Sequence, residues 1–287
     1  MGDGTGGLEH LDWYQKRSAV NPVMVVAFAG WNDAGNAAST AADHLEQLWS
    51  AAPFASIDAE EFFDFTAIRP TVELTGTGGR RISWPTTTFS IAEGALEGRD
   101  LIVCRGVEPQ LKWRTFTETV LGVAADMNVS LVISFGALLA DVPHTRPTVV
   151  YGSASGGAPE CDGLEASSYE GPTGIIGVLH SACAVAGLPY ASLWAAVPTY
   201  VPGATSPKGA LALLKRVRDL LGADFETDEL QRESLEYVRQ VDTYIEEDPE
   251  TVEFIHELER HYDANHEASP EQLVAEVENF LRQRGDS

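Results

Sequence analysis

The chain of 287 residues carries 43 acidic against 19 basic side chains, a formal net charge of −24, which repels nucleic-acid phosphates and anionic membrane surfaces. With 44% hydrophobic residues it can bury a sizeable core, and no apolar run approaches the roughly 20 residues needed to span a bilayer. We therefore expect neither nucleic acid nor a membrane among its partners. The acidity fits a basic protein partner, although a salt-adapted or well-solvated surface is the simpler explanation.

Residues 1–7 are glycine-rich and polar, and they predict a flexible leader without the basic and apolar regions of a secretory signal. The three cysteines, Cys104, Cys161 and Cys183, form no C-x-x-C pair, so reduced thiols explain them. Both observations indicate a cytoplasmic protein.

Residues 8–225 alternate strands with helices and predict one core domain. The predicted strands lie at 23–28, 59–65, 100–105, 131–135, 148–152 and 190–197, and the predicted helices at 35–50, 115–128, 175–186 and 207–221. Residues 67–90, rich in Thr, Gly and Pro, predict a long loop or a hairpin. Near-continuous apolar strands separated by helices predict an α/β fold with a mostly parallel sheet covered on both faces.

The charge changes near residues 222–226. From Gly222 to the end there are 20 acidic residues against 5 arginines, and the apolar residues recur with helical spacing. The apolar stripes are Leu230, Tyr237, Val238, Val241 and Ile245; then Phe254, Ile255, Leu258 and Tyr262; then Leu273, Val274, Val277, Phe280 and Leu281. We predict an acidic extension at 226–287 of about three amphipathic helices. Their stripes need a covering surface on the main body or on another subunit.

The familiar catalytic motifs fail when the sequence is checked residue by residue. No G-x-x-x-x-G-K-[ST] loop is present, and the stretch 152–157 has Ala154 where a G-x-S-x-G nucleophile elbow needs serine. His256 and His261 are five residues apart, which turns them to different faces of a helix, so we expect both to face solvent. The other histidines are scattered singly. We therefore predict no catalytic residue, no metal site and no cofactor.

Four loops occupy the positions where open α/β sheets keep their ligand crevices. They are GWNDAG, RGVEPQLKW and SFGALLADVPHTRP, which follow predicted strands, and YEGPTGIIG, which precedes a predicted helix. The candidate residues in these loops, for a pocket or a partner surface, are Gly30, Trp31, Asn32, Asp33, Arg105, Glu108, Glu170, Thr173 and Gly174. Free amides at the start of the helix near residue 175 suit an anion.

Each of these loops also has a purely structural explanation. Asn32 and Asp33 are residue types that cap a helix, here one beginning near Gly35, where glycine permits a tight turn. Thr173 and Gly174 form a tight turn into a buried helix. Three interpretations therefore stay open: a structural turn, a small-molecule site, and a surface for a partner or a second subunit.

Several of these stretches together resemble the proteasome assembly chaperone 2 family, in particular its long actinobacterial-type members. The stretches are VVAFAGWNDAGNAAS, LIVCRGVEPQLKW, SFGALLADVPHTRP, YEGPTGIIGVLHSACAVAGLP and LWAAVPTYVPGATSPKGALALL, in collinear order over residues 8–225. The resemblance implies a three-layer α/β/α sandwich similar to phosphorylase- and hydrolase-like folds. It also implies self-association into a homo-oligomer and a proteasome-related protein partner.

The leading hypothesis from the sequence is a non-enzymatic, self-associating, cytoplasmic protein-binding module. Archaeal relatives that dock on a proteasome end in a hydrophobic-Tyr-any-residue tail. This chain ends with residues 284–287, RGDS, so we expect no docking through such a tail.

Two other functions are weighed against this hypothesis. One is an enzyme or small-molecule binder of phosphorylase-like type, acting on a nucleoside-like or other polar ligand. In that case Asp33, Glu170 and Arg105 would line the pocket, and the amides near Thr173 and Gly174 would receive an anion. The other is a purely structural oligomer whose glycine loops form subunit contacts.

Overall fold

The computed structural model describes residues 9–76, 78–159, 170–201 and 203–266 of the chain. The strands in these ranges are β1 (Leu11–Trp13), β2 (Val23–Ala29), β3 (Ala52–Ile57), β4 (Thr71–Leu74), β5 (Arg80–Ser83), β6 (Thr87–Leu96), β7 (Arg99–Val107), β8 (Leu131–Ala140), β9 (Val150–Ser155) and β10 (Tyr190–Pro198). The α-helices in the same ranges are α1 (Ala37–Leu48), α2 (Trp113–Asp126), α3 (Ile175–Ala186), α4 (Pro207–Leu221), α5 (Asp228–Ile245) and α6 (Pro249–His266).

Eight of the strands form one mixed sheet, in the order β1-β3-β6-β7-β2-β8-β10-β9, while β4 and β5 form a separate hairpin. The four central strands β7, β2, β8 and β10 are parallel neighbours, and the flanking strands join in antiparallel pairs. Five of the eight strands therefore run in the same direction, because β3 is antiparallel to β6 and β6 to β7. The predicted α/β fold with a mostly parallel sheet is confirmed.

Helices cover both faces of the sheet because strand side chains alternate between two apolar layers. Val23 and Val25 of β2 pack in the layer that contains α1 and α4. Met24 and Val26 of the same strand pack in the layer that contains α2 and α3. One strand thus supplies both cores, which is the arrangement of the predicted three-layer sandwich.

The amino-terminal half of the sheet departs from the sequence prediction. The strand predicted at 59–65 is wrong, because the strand is β3 and residues 59–65 form bends and turns. The aromatic run there is buried for another reason: Phe62 packs on α2, with its ring centroid 5.4 Å from that of Phe116. Strands β1 and β6 were not predicted. The hairpin predicted within 67–90 is confirmed as β4 and β5.

Two helices of the predicted acidic extension are present, and the third apolar stripe, at 273–281, lies outside the described residues. Tyr237, Val241 and Ile245 of α5 form a small apolar core with Ile255 of α6 and Val201, which follows β10. The described helices therefore pack on the main body. The domain boundary at residue 225 stays a prediction. None of the described helices combines the length and the apolar character that a membrane crossing demands.

The two described cysteines are free thiols in the apolar core. Cys104 and Cys183 are both buried, and burial raises the pKa of Cys183 to about 12. A protonated thiol in apolar surroundings is a poor nucleophile. Cys161 and the leader predicted at 1–7 lie outside the described residues.

Candidate functional site

The parallel strands of the sheet bring three of the four predicted loops to one edge. Residues 30–36 follow β2, residues 108–112 follow β7 and residues 141–148 follow β8. The fourth loop leads into α3, and its last residues contact the first two loops. Loops far apart in sequence therefore meet at the carboxyl edge of the sheet, as an open α/β sheet requires.

Glu108 joins three of these loops in a group that we call the Glu108 cluster, comprising Asn32, Glu108, Gly174 and Ile175. Its Oε1 atom accepts a hydrogen bond of 2.6 Å from Asn32 Nδ2 and another of 2.9 Å from the backbone N–H of Ile175. The second bond caps the N-terminus of α3 with a carboxylate, which the helix dipole favours. The anion expected at this helix N-terminus is thus supplied by the chain itself.

Two glycines allow the loops to approach this closely. A Cβ atom on Gly174 would lie 2.2 Å from Asn32 Oδ1 and 2.7 Å from Glu108 Oε1, distances that no real side chain permits. Gly30 has a φ of 125°, a conformation that side chains of L-residues rarely adopt, and it places its backbone against the Glu108 side chain. The glycines predicted from the sequence are therefore required for the contact between the loops.

Asn32 is the buried centre of the cluster. The residue is fully buried, its backbone carbonyl accepts a 2.7 Å bond from the N–H of Ala137, and its Oδ1 atom has no hydrogen-bond partner among the described residues. An unpaired buried amide oxygen costs free energy, so the position is held by its other bonds and by packing. The side chain connects the loop after β2 to Glu108 in the loop after β7, and the backbone carbonyl connects the same loop to β8.

Asp33 caps a helix, as one of the interpretations of the sequence predicted. Its carboxylate accepts a 2.7 Å bond from the N–H of Ala38 and a 2.6 Å bond from the hydroxyl of Ser39, at the start of α1. Burial raises the pKa of Asp33, and the bonds from Ser39 and Ala38 act in the opposite direction. The carboxylate is directed at the helix and not into an open crevice.

The other candidate residues do not join the cluster. Arg105 forms ion pairs with Asp43, at 3.2 Å, and with Glu46, both on α1, so it lies in a different layer of the protein. The side chains of Glu170 and Thr173 are exposed. Trp31 is 64% exposed at the rim. Under the small-molecule hypothesis Arg105 and Glu170 would line a pocket with Asp33; in the structure Asp33 and Arg105 both bond to residues of α1, and Glu170 is exposed.

A second group of polar residues, which the sequence did not reveal, lies at the ends of β8 and β10. We call it the His144 cluster: His144, Arg146, Tyr200, Lys208 and Asp242. His144 is buried, its Nε2 lies 3.0 Å from Asp242 Oδ1 on α5, and its Nδ1 lies 2.9 Å from the Tyr200 hydroxyl. Because a carboxylate only accepts, the neutral ring carries its proton on Nε2 and accepts at Nδ1. Burial lowers the pKa of His144.

Arg146 and Lys208 extend this cluster in two directions. Arg146 binds Asp263 on α6 through two parallel bonds of 2.7 and 2.8 Å and also reaches Glu259 at 3.1 Å. Lys208, on α4, donates to the backbone carbonyls of His144 and Arg146. Burial lowers the pKa of Lys208 to about 8, and the charge of Arg146 adds to this effect. The loop 141–148 therefore anchors both C-terminal helices to the core.

One hydroxyl–imidazole contact also escaped the sequence analysis. Ser155 Oγ on β9 lies 3.2 Å from His180 Nε2 on α3, and the His180 ring stacks on Tyr190 with centroids 4.6 Å apart. A serine nucleophile needs its histidine to be oriented by a third group, and within the described ranges His180 has no carboxylate partner. His256 and His261 are exposed, as expected. No trio of His, Cys, Asp and Glu in the described part is placed to hold a metal ion.

The comparisons with known proteins agree with this architecture. The family model described as "PAC2 family" matches residues 27–245. A PAC2 family protein from Streptomyces avermitilis shares 46% identity at a TM-score of 0.73, covering 81% of this chain and 99% of that one. The Mycobacterium tuberculosis proteasome-assembly chaperone homologue Rv2125 shares 42% identity at a TM-score of 0.74, with the same coverage of 81% and 99%.

A more distant structure shares the fold alone. The Pyrococcus furiosus protein PbaB, an archaeal proteasome activator, is 17% identical at a TM-score of 0.64, covering 82% of this chain and 98% of that one. Among curated proteins, none matches the sequence. The matched residues include the loops of the Glu108 cluster and the loop 141–148. The chain therefore belongs to the PAC2 family.

Proposed function

We propose that this chain is a cytoplasmic, self-associating, non-enzymatic protein-binding module that acts in the assembly or activation of a proteasome-type particle. Family membership supports this function, together with the relative named as a proteasome-assembly chaperone homologue. The protein partner would be recognised by surface complementarity and not by catalysis.

The Glu108 cluster is the observation that carries the proposal. Glu108 Oε1 accepts hydrogen bonds from the Asn32 side-chain amide and from the first N–H of α3, so these groups are paired within the chain and are not free for a small ligand. What the loops present instead is apolar: Trp31 is 64% exposed after β2, and Leu111 is 47% exposed after the neighbouring β7. Exposed tryptophans on rigid loops are typical centres of protein interfaces.

The small-molecule alternative is not favoured by this geometry. Asp33 caps α1 and Arg105 pairs with α1, so each already has a partner within the chain. The anion site at α3 is filled by Glu108.

The test is direct binding to a purified proteasome core particle and to its separate subunits. We expect the wild-type chain to bind, and Trp31→Ser to weaken binding about tenfold or more, because a central tryptophan carries much of the affinity of an interface. Tyr244→Ser is the matched control, since Tyr244 is 72% exposed on α5, away from the rim loops. Equal affinity of the wild type and Trp31→Ser, or no binding by the wild type, would contradict the proposal.

A further inference from the structure

The β4–β5 hairpin has one apolar face whose side chains are each more than half exposed. Val72 pairs with Ile82 across the hairpin, and Leu74 lies on the same face two residues after Val72. Trp84 follows Ile82 by two residues, just past the end of β5, and its ring contacts Phe65 with centroids 4.8 Å apart. Val72, Ile82, Leu74 and Trp84 are 58%, 54%, 79% and 51% exposed, in that order. The opposite face is polar and carries the ion pair between Arg81 and Glu73. The hairpin is therefore amphipathic, with its apolar face in solvent.

A two-stranded hairpin of this kind is only marginally stable by itself. The strands β4 and β5 pair only with each other, and an isolated two-stranded hairpin is marginal in water unless its apolar face is packed. A contiguous group of large exposed apolar side chains is also rare on a monomer and marks an interaction site. The hairpin therefore requires a covering surface.

A groove of matching character lies elsewhere on the same chain, between α2 and α3. It is an open groove of about 640 Å³, lined by Leu121 of α2 and by Val178, Ala182 and Val185 of α3. Val185 is 88% exposed, and α3 contains no Asp, Glu, Lys or Arg in its 12 residues. On a chain with a net charge of −24, an exposed helix face without charges is a marked exception.

The hairpin face carries a cation, and the groove contains an acidic side chain that can pair with it. Arg80 pairs with Leu74 across the hairpin, so it lies on the apolar face, and its side chain is exposed. Glu118 lines the groove on α2 and is exposed as well, and the exposed Arg114, four residues earlier on α2, lines the same groove. Neither Arg80 nor Glu118 forms an ion pair within the described part of the chain. Since both surfaces stay exposed, the hairpin does not fill the groove of its own chain.

We propose that the β4–β5 hairpin of one copy packs its apolar face into the α2–α3 groove of a second copy, with Arg80 placed to meet Glu118. The occupant is a second copy because this chain itself carries both an exposed apolar ribbon and a groove whose α3 side has no charged residue. The contact joins two different surfaces, so it is heterologous and generates a ring or an open chain of subunits. The inference depends on one part of the proposed function, self-association, and does not depend on the proteasome-type partner.

Sedimentation of charge-insertion variants tests both surfaces. Leu74→Glu in the hairpin and Val185→Glu in the groove would each bury a carboxylate in the contact, which is unfavourable enough to abolish a modest interface. Each variant is therefore expected to sediment as a monomer at about tens of micromolar protein, where the wild type is an oligomer. Leu235→Glu is the matched control, because Leu235 is also a leucine, 62% exposed, but on α5. The control should keep the wild-type oligomer. Circular dichroism melts establish that each variant is folded.

Cysteine cross-linking tests the pairing itself. Leu74→Cys and Val185→Cys variants with different tags are mixed and oxidised, with the wild type as background for its own three cysteines. A cross-linked dimer in the mixture, and not in either variant alone, is the expected result. A dimer of Leu74→Cys with itself would overturn the proposal in favour of a twofold hairpin contact.

The remaining outcomes separate this inference from the proposed function. An oligomer that survives both charge insertions overturns the hairpin–groove contact and leaves self-association standing. A wild-type monomer at tens of micromolar overturns both self-association and the contact. If Leu74→Glu keeps the oligomer and loses binding to the proteasome particle, the hairpin covers a different protein and the inference is wrong.

Discussion

The two polar clusters lie at the same edge of one sheet, yet they hold different parts of the molecule. The Glu108 cluster joins loops of the α/β core through short bonds around the fully buried Asn32. The His144 cluster joins a core loop to α5 and α6 through side chains such as Asp242, which is 48% exposed. The first cluster fixes the fold of the core, and the second attaches an extension to it.

This difference leads to a general expectation about the two clusters. Removing a buried contact between core loops leaves unpaired polar groups away from water and lowers the stability of the whole domain. Removing a partly exposed ion pair costs little globally but frees the element that it anchored. Changes in the Glu108 cluster should therefore be global, and changes in the His144 cluster should be local to α5 and α6.

The largest effect is expected from Gly174→Ala. The added Cβ would lie 2.2 Å from Asn32 Oδ1, so the loop before α3 must move away from the loop after β2. We expect the free energy of unfolding to fall by about 3 kcal/mol, a value for overpacking at a tight buried site. Chemical denaturation measures it. Gly76→Ala is the control, because a Cβ there meets nothing within 4 Å. Equal stability of the two variants would show that the loops are not in close contact.

Glu108→Ala should have the next largest effect. The substitution removes the acceptor for Asn32 Nδ2 and for the Ile175 amide, and we expect a loss of about 2 kcal/mol in the free energy of unfolding. Glu108→Gln keeps an accepting oxygen and should recover most of this loss. If Ala and Gln are equally destabilising, the hydrogen bonds are not the source of the effect. Glu233→Ala, at an exposed position on α5, controls for the removal of a charge.

Much of the core and part of the Glu108 cluster could be predicted from the sequence. Buried strands such as 23–28 are readable because an apolar run bounded by turn residues has few alternatives, and parallel strands place their following loops at one edge. Asn32, Glu108 and Gly174 were candidates for that reason. Their pairing was not predictable, since Glu108 lies 67 residues from the amide that it caps.

The misplacement of Arg105 and the omission of His144 have different causes. Arg105 follows Val103 by two residues on β7, so both side chains point to the same face of the sheet, the face covered by α1. This alternation could have been read from the sequence. His144 had no comparable signal, because its partner Asp242 is 98 residues away on an exposed acidic helix. The sequence around a single histidine does not predict which distant residue it will contact in the fold.

The third prediction addresses the attachment of α6. Arg146→Ala removes the paired bonds to Asp263 and the contact with Glu259, and we expect only a small fall in the free energy of unfolding, because partly exposed ion pairs contribute little to global stability. Hydrogen exchange should rise in α6 and stay unchanged in α1. Arg239→Ala is the control, since Arg239 pairs only within α5, with Glu236. A uniform rise in exchange over the whole chain would remove the distinction between the two clusters.

The smallest effect expected is a pH dependence of the His144 cluster. Burial lowers the pKa of His144 in the folded chain, whereas the unfolded chain titrates near 6.5. As the pH falls through that value, the unfolded chain binds a proton that the folded chain does not, so the free energy of unfolding decreases. The Lys208 charge adds to the lowering of this pKa, and Asp242 and Glu259 oppose it.

The pH effect can be separated from that of the many carboxylates by comparison with His144→Gln. Glutamine can still donate to Asp242 but does not titrate, so the wild type should lose more stability than the variant between about pH 7.5 and 5.5. Because His144 connects to α5, the excess loss should appear as faster hydrogen exchange in α5 and not in the loops of the Glu108 cluster. An identical pH dependence in the two proteins would mean that the pKa of His144 is the same in the folded and the unfolded chain. The response to pH would then not distinguish the His144 cluster from the Glu108 cluster.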